Sequence, residues 1–352
     1  MILITISYLV QGLVMLKNVS IKNLIGSAAT LALALGITSC GAPQQATTSP
    51  NANSTKKPKV VATSSVLCDV TQEIAQDTVE LKCLIPAGSD PHVYEPKPDH
   101  RKAIEQAQLI LYNGHDFEPD LIKLIKATKN TTPKVAVNEI AVPKPLKGEE
   151  HKHEKAGEKA EAGHDHGEAD PHVWHDAQNG IKIVETVGDK LAKIAPSHAA
   201  KYTSNAEKMT SELKQLDSWI KAQIATIPAN QRKLITTHDA LGYFSNAYGL
   251  PVEGALQGIS TEEKPTAGNI KDLVKEIKTA GVPTIFAETS INPKLIEAVA
   301  KEANVKVSQR EIFADGLGEK GSEADTYKKM MIANTQTIVE GLGGKFTPFA
   351  AK

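Results

Sequence analysis

Short β-rich runs alternate with amphipathic helical runs twice along this chain, and that alternation constrains its fold more than any other feature. In the first series KVVATSS from Lys59, TVELKCLIP from Thr78, QLILYN from Gln108 and KVAVNEI from Lys134 read as strands. Between them DVTQEIAQ, RKAIEQAQ behind a Pro98-Asp99 cap, and FEPDLIKLIKATKN read as helices. The second series begins near Lys233. There LITTHD, VEGALQ, PTIFAE and KVSQRE are strand-like, NIKDLVKEIKTAG and PKLIEAVAKEAN are helical, and a last helix runs from Ala324 to about Glu340. Alternation of this kind builds open α/β layers, so the expected architecture is two α/β lobes, residues 59–195 and 228–352.

Between the lobes, Asp176 to Ile194 and then Pro196 to about Ile227 read as helices. Ala200, Tyr202, Ala206, Met209, Leu213, Leu216, Ile220 and Ile224 recur at helical spacing, so the second helix would run about 45 Å. Residues 196–227 are therefore expected to form a rigid connecting strut. The alternative is an ordinary surface helix of one lobe.

A chain of 352 residues accommodates two such lobes. Lys+Arg 40 against Asp+Glu 41 gives no electrostatic reason to expect a nucleic-acid or anionic-membrane partner, and 4% aromatics argue against stacking platforms for bases or sugars. Three Cys exclude a disulfide-dense scaffold and a structural zinc site made of four cysteines. The 11 His stand out.

The amino terminus reads as an export signal, residues 1–39. Lys17 and Lys22 precede the apolar run Leu24 to Ile37, which is too short for a stable membrane span, although a single-pass anchor is the alternative. The apolar stretch before Met15 lacks a leading charge, which makes Met15 the expected true start. Ile37-Thr38-Ser39-Cys40 matches the small-residue box before a lipidated cysteine. The Ser/Thr/Asn/Pro-rich residues 40–58 then have the composition of a flexible tether, placing the folded part outside a membrane but anchored to it. In that oxidising compartment Cys68 and Cys83 either pair, closing a loop worth roughly 3 kcal/mol, or remain two buried thiols.

Residues 146–169, LKGEEHKHEKAGEKAEAGHDHGEA, are charged and nearly free of large apolar side chains, so they read as a disordered insert. His151, His153, His164 and His166 form two His-x-His pairs suited to weak, labile metal contacts; a bland polar loop is the alternative.

Chemistry is carried by an internal echo: Asp90-Pro91-His92-Val93-Tyr94 and Asp170-Pro171-His172-Val173-Trp174. Proline pushes the preceding Asp toward extended backbone, presenting each His from a stiff loop. His92 follows a strand end, where ligands bind in open α/β sheets. In the second lobe His238 directly follows LITT and Asp315 follows KVSQRE, while Glu288 ends PTIFAE. A cleft between lobes could collect them all. Glu288 reads as a residue behind the ligands or at a hinge, and His115 in Asn113-Gly114-His115 as an auxiliary contact. His100, His175 and His198 read as surface residues or as supports on helices. Three imidazoles and one carboxylate suit a borderline-soft cation in tetrahedral coordination, which describes Zn2+. Mn2+ is better served by two His and two carboxylates, so His238→Glu is the substitution that moves such a site toward Mn2+.

Cys40 in its box, DPHVYEP, DPHVWHD, THDALGYF, the long central helix and FADGLG together resemble the metal-binding lipoproteins of cluster A-I ABC importers. With the His-rich insert, the zinc-binding subfamily is the nearest likeness. The resemblance covers nearly all of the mature chain. It implies two (β/α)4-like lobes joined by a single backbone helix, with metal held between them and passed to a membrane permease driven by its ATPase. The family's ligand positions fall on His92, His172, His238 and Asp315, and the third of these is Glu in manganese binders. Water or another carboxylate takes the fourth position in some zinc members. The expected function is therefore capture of Zn2+ outside the cytoplasm by a monomeric, lipid-anchored carrier without enzymatic activity. A manganese binder of the same family is the alternative. A zinc hydrolase lacks a His-Glu-x-x-His helix here, and an adhesin lipoprotein has no positive signal.

Overall fold

The computed structural model describes residues 56–148 and 169–350. Cys40, the expected signal and tether before residue 56, and His151, His153, His164 and His166 lie outside the described residues. No helix among the described residues is long and apolar enough to cross a membrane.

Four parallel strands form the first sheet: β1 (Lys59–Ala62), β2 (Glu80–Cys83), β3 (Leu109–Tyr112) and β4 (Lys134–Ala136), in the order β2-β1-β3-β4. Central β1 and β3 are almost wholly apolar because helices cover both faces. Polar β2 lies at the edge, where charge deters further pairing. The helices are α1 (Ser65–Ala75), α2 (Pro98–Gln106), α3 (Pro119–Ala127) and α4 (Val137–Ala141). Crossovers leave β1 and β3 in opposite directions, so their carboxyl ends flank a switch point where this architecture places ligands. KVAVNEI, expected as one strand, is β4 followed by α4. The chain turns because Asn138 donates its N–H to the Asn113 carbonyl (3.0 Å) and its side chain to the Pro171 carbonyl (3.3 Å).

The middle of the chain forms α5 (Ala177–Ile194), capped by the Asp176 side chain, and α6 (Ala199–Ile224). Pro196–His198, expected as the opening of α6, is a separate 3-10 turn. The 26 residues of α6 span about 39 Å. Tyr202, Ala206, Leu213, Leu216, Ile220 and Ile224 are buried along one face, whereas Ala200 from the expected stripe is exposed. Through that face α6 packs on α5 and α1.

The second half repeats the first. Strands β5 (Leu234–His238) and β6 (Val252–Gln257) pair in parallel, as do β7 (Thr284–Ile285) and β8 (Lys306–Val307). Phe286 donates its N–H to the Ile235 carbonyl (3.0 Å), which sets β7 beside β5 and gives β6-β5-β7-β8, the order of the first sheet. PTIFAE thus pairs as a strand over two residues only, with a single bridge farther on between Glu288 and Ile312. The flanking helices are α7 (Gly242–Tyr248), α8 (Ala267–Ala280), α9 (Lys294–Ala303) and α10 (Tyr327–Gly341). Helix α10 starts three residues later than Ala324 because Thr326 caps it, its side chain accepting from the Lys329 N–H. Its packing against α6 completes a hydrophobic core that runs from α1 through α5 and α6 to α10.

Cys68 on α1 and Cys83 at the end of β2 form a disulfide, their Cα atoms 5.8 Å apart, so the thiols pair rather than stay free. At the other end of the chain a strap lies on α6. Lys345 donates its N–H to Thr226 Oγ1 (2.9 Å), Thr347 donates to Gln223 Oε1 (2.7 Å), and Trp219 Nε1 donates back to the Thr347 carbonyl (3.0 Å). Phe346 and Phe349 meet the Trp219 ring edge-on at 5.8 and 5.5 Å. Deleting residues 345–352 is expected to lower the free energy of unfolding by about 2 kcal/mol, from two aromatic contacts and a set of partly exposed hydrogen bonds. Urea denaturation of the truncated and full chains, at unchanged slope, checks this.

Candidate metal centre

The carboxyl ends of the two sheets bring four side chains together. His92 stands on the loop after β2, His172 on the segment leading into α5, His238 at the last position of β5, and Asp315 beyond β8. All four are buried, with exposures of 3%, 0%, 0% and 3%. The Nε2 atoms of His92 and His172 lie 3.3 Å apart and those of His172 and His238 3.4 Å apart. Asp315 Oδ1 lies 3.2 Å from Nε2 of His172, 3.2 Å from that of His238 and 3.6 Å from that of His92, yet it makes no hydrogen bond of good geometry. One ligand atom from each residue thus falls within 4.8 Å of all the others, an arrangement that can hold a metal ion.

The residues behind this cluster fix what it presents. Asp170 Oδ1 accepts from the His172 N–H (2.9 Å) and faces His172 Nδ1 at 2.9 Å. Glu288, also buried, accepts from the N–H groups of Thr237 and His238, both at 2.9 Å, through Oε1, while its Oε2 faces His238 Nδ1. A carboxylate only accepts, so Nδ1 of both rings carries the proton and Nε2 turns its lone pair to the centre. Ser290 Oγ donates to Asp315 Oδ2 at 3.1 Å and leaves Oδ1 pointing inward. Phe117 packs edge-on against the rings of His92 and His172, at 5.2 and 5.6 Å, closing the apolar side.

Lone pairs and a carboxylate oxygen converging in a buried space repel one another unless positive charge sits among them. Burial alone would lower the pKa of His172 and His238. Asp170 and Asp315 outweigh it at His172, and Asp315 and Glu288 at His238, so both rings take up protons more readily than usual. Burial would raise Asp315, but the charge on His238 and the contacts from His172, His238 and His92 hold it well below the usual carboxylate range.

A sequence profile for the family described as "ZnuA: Zinc-uptake complex component A periplasmic" matches residues 60–341. The chain belongs to the ZnuA family. Its members are extracytoplasmic metal-binding components of ABC importers, which work with a permease and an ATPase; they are not enzymes. The chain is 35% identical over 298 residues to the manganese ABC transporter substrate-binding lipoprotein PsaA of Streptococcus anginosus, covering 83% of this chain and 91% of that protein. PsaA of Streptococcus pneumoniae serotype 4 is 33% identical over 315 residues, covering 88% and 95%. Among solved structures, the periplasmic zinc binding protein TroA from Treponema pallidum superposes with a TM-score of 0.73 at 33% identity, covering 81% of this chain and 99% of that one. The ZnuA-type fold therefore accounts for the paired sheets described above.

Several expected roles are revised by the geometry. His115 is not drawn into the cluster: its N–H bonds to Glu139 Oε1 (3.1 Å) in a left-handed turn, φ 50°. Of the two positions expected for His100 and His175, the supporting one holds and the surface one does not, since both are buried. His100 accepts from the Lys97 N–H (3.1 Å) at the start of α2. His175 donates from Nε2 to the Ala314 carbonyl (2.7 Å), tying the Asp315 loop to the segment that carries His172. Burial, then the neighbouring charge of His172, pushes His175 down to about 4 and keeps it neutral. His198 is exposed at its 3-10 turn, as expected. The ends of the 146–169 insert are ordered: Lys147 and Ala169 form an antiparallel bridge, and the Leu146 N–H bonds to Tyr243 Oη (2.9 Å). Gly242 in THDALGYF has its own reason, because a Cβ there would approach Asp170 Oδ2 to 2.6 Å.

Behind Phe117, Glu118 is buried at the start of α3. Thr63 Oγ1 (2.6 Å) and the Asn113 N–H (2.8 Å) both donate to its Oε1, while Oε2 has no partner. Burial, against those two bonds, pushes its pKa up to about 7. A carboxyl raised in the folded state binds its proton more tightly there than in the unfolded chain. Its contribution to stability is therefore full below the ordinary Glu range and is lost as pH rises through about 7. Glu118→Gln is expected to remove on the order of 2 kcal/mol of stability difference between about pH 5 and pH 8. Chemical denaturation of metal-free protein across that range checks it, a wild-type slope in the variant contradicting the assignment.

Proposed function

We propose that this chain captures Zn2+ outside the cytoplasm and delivers it to the permease of an ABC importer, with Nε2 of His92, His172 and His238 and Oδ1 of Asp315 as its ligands. The convergence of three imidazole lone pairs on one carboxylate oxygen carries this reading. Neutral nitrogen donors in the majority favour zinc over the harder manganese ion. The spacing agrees. Bonds of 2.0–2.1 Å to a tetrahedral ion put its ligand atoms roughly 3.3 Å apart, against 3.2 to 3.6 Å for His92 with His172, His172 with His238, and Asp315 with each of the three rings, and all four ligand atoms within 4.8 Å.

In the same reading Cys40 carries the lipid anchor and residues 40–58 the tether. Residues 59–195 and 228–352 are lobes joined through 196–227, the carrier acts as a monomer, and His151, His153, His164 and His166 hold metal weakly. The zinc binding protein TroA from Treponema pallidum, at 33% identity, supports the choice of ion. Manganese is the second reading, favoured by the naming of the streptococcal relatives. Metal-free protein titrated with Zn2+ and Mn2+ in competition decides between them. Zinc is expected to bind more than about a thousandfold tighter, a gap set by donor type as well as by the general affinity order of divalent ions. Mn2+ bound within about tenfold of Zn2+ would overturn the zinc reading.

A further inference from the structure

The two Asp-Pro-His segments make the same local turn but face different neighbours. In each, the Asp Oδ1 accepts the N–H of the His two residues on, at 3.0 Å for His92 and 2.9 Å for His172. Asp170 also faces the ring of its own histidine, through His172 Nδ1. Asp90 does not. Its second oxygen, Oδ2, accepts from Thr261 Oγ1 at 2.6 Å, across a separation of 171 residues. Thr261 belongs to the loop after β6, in the second half of the chain. That segment is held in shape by Gln257, whose Nε2 donates to the carbonyls of Thr261 (3.3 Å) and Glu263 (3.1 Å).

Among the described residues no carboxylate faces Nδ1 of His92, whereas His172 and His238 each have one. The ring of His92 leans on Phe117, and its position depends on the backbone of a loop. Asp90 is the only residue of that loop whose side chain bonds both to His92 and to the loop after β6, among the described residues. We propose that Thr261 is a positioning residue for the metal cargo: its hydroxyl latches Asp90, and through Asp90 the His92 loop, to the loop after β6. Opening of this latch frees His92 and sets the rate at which metal leaves. The inference rests on the metal-carrier reading above.

Thr261→Val removes the hydroxyl at nearly constant volume, and Thr261→Ser keeps it. Two measurements separate the latch from the carrier reading. In metal-free protein, amide hydrogen exchange at His92 is expected to be about tenfold faster in the valine variant and unchanged in the serine variant, as for loss of one hydrogen bond to a carboxylate. In zinc-loaded protein, release into excess chelator is expected to accelerate about tenfold in the valine variant and to return to the wild-type rate with serine. Wild-type exchange and release rates in Thr261→Val overturn the latch, as does a valine effect that serine fails to restore. Failure of the wild type to bind zinc overturns the carrier reading alone, because the exchange measurement still decides whether Thr261 holds the loop.

Discussion

His238→Ala is expected to weaken Zn2+ binding by more than about a hundredfold, beyond the range found when a residue merely supporting a ligand is lost. Three effects add. One of four proposed donors disappears. Asp315 Oδ1 loses one of its two nearest ring nitrogens, both at 3.2 Å in the wild type. Glu288 keeps its two backbone N–H partners but loses the imidazole at Oε2, so a buried carboxylate is left partly unpaired. The remaining donors, two imidazoles and one carboxylate, still form a binding set, so residual affinity should persist. Competition against a chelator of known affinity measures the loss. His198→Ala, at an exposed His away from the cluster, serves as the control and should bind as wild type. Affinity unchanged in His238→Ala would remove this residue from the site. In all variants binding should weaken as pH falls, because protons compete for the ring nitrogens.

The parts of this molecule that were legible in sequence are those with local signatures. Alternating runs announced two α/β layers, and the matching orders of the two sheets follow from the same crossover logic applied twice. The Asp-Pro-His echo was legible because its physics lies within three residues: a restrained Asp accepts the N–H of the His two positions on. What the Asp residues do beyond that turn was not legible. Asp90 reaches Thr261 and His175 reaches Ala314 across 171 and 139 residues, and nothing local in either segment marks its partner. Sequence left His100 and His175 open between surface and supporting positions for a related reason. A helical His reads as exposed unless the partner that satisfies its ring is known. Strand ends were overcalled where apolar residues continue into turns, as at Asn138 in KVAVNEI, because composition records burial rather than pairing.

Glu288→Gln is expected to lower zinc affinity between about tenfold and a hundredfold while leaving the fold intact, and the reason is a tautomer. In the wild type Oε1 accepts two backbone N–H groups, from Thr237 and His238, and Oε2 accepts the proton of His238 Nδ1. The glutamine oxygen must stay with the two N–H groups, since its NH2 would oppose them. The NH2 then faces His238 Nδ1, which can pair with it only by giving up its proton. A neutral ring that loses the proton at Nδ1 carries it at Nε2, the atom aimed at the metal. Metal binding must then expel that proton or break the new hydrogen bond. Glu288→Ala behaves differently. It leaves both N–H groups and the ring without partners in a buried place, and should destabilise the fold by about 4 kcal/mol as well as weaken binding. Nitrogen-15 chemical shifts of the His238 ring in metal-free protein, at a pH high enough to leave the ring neutral, read the tautomer directly, and denaturation separates the two variants. Retention of the Nδ1 proton in Glu288→Gln, with wild-type affinity, would show that Glu288 supports only the backbone of β5.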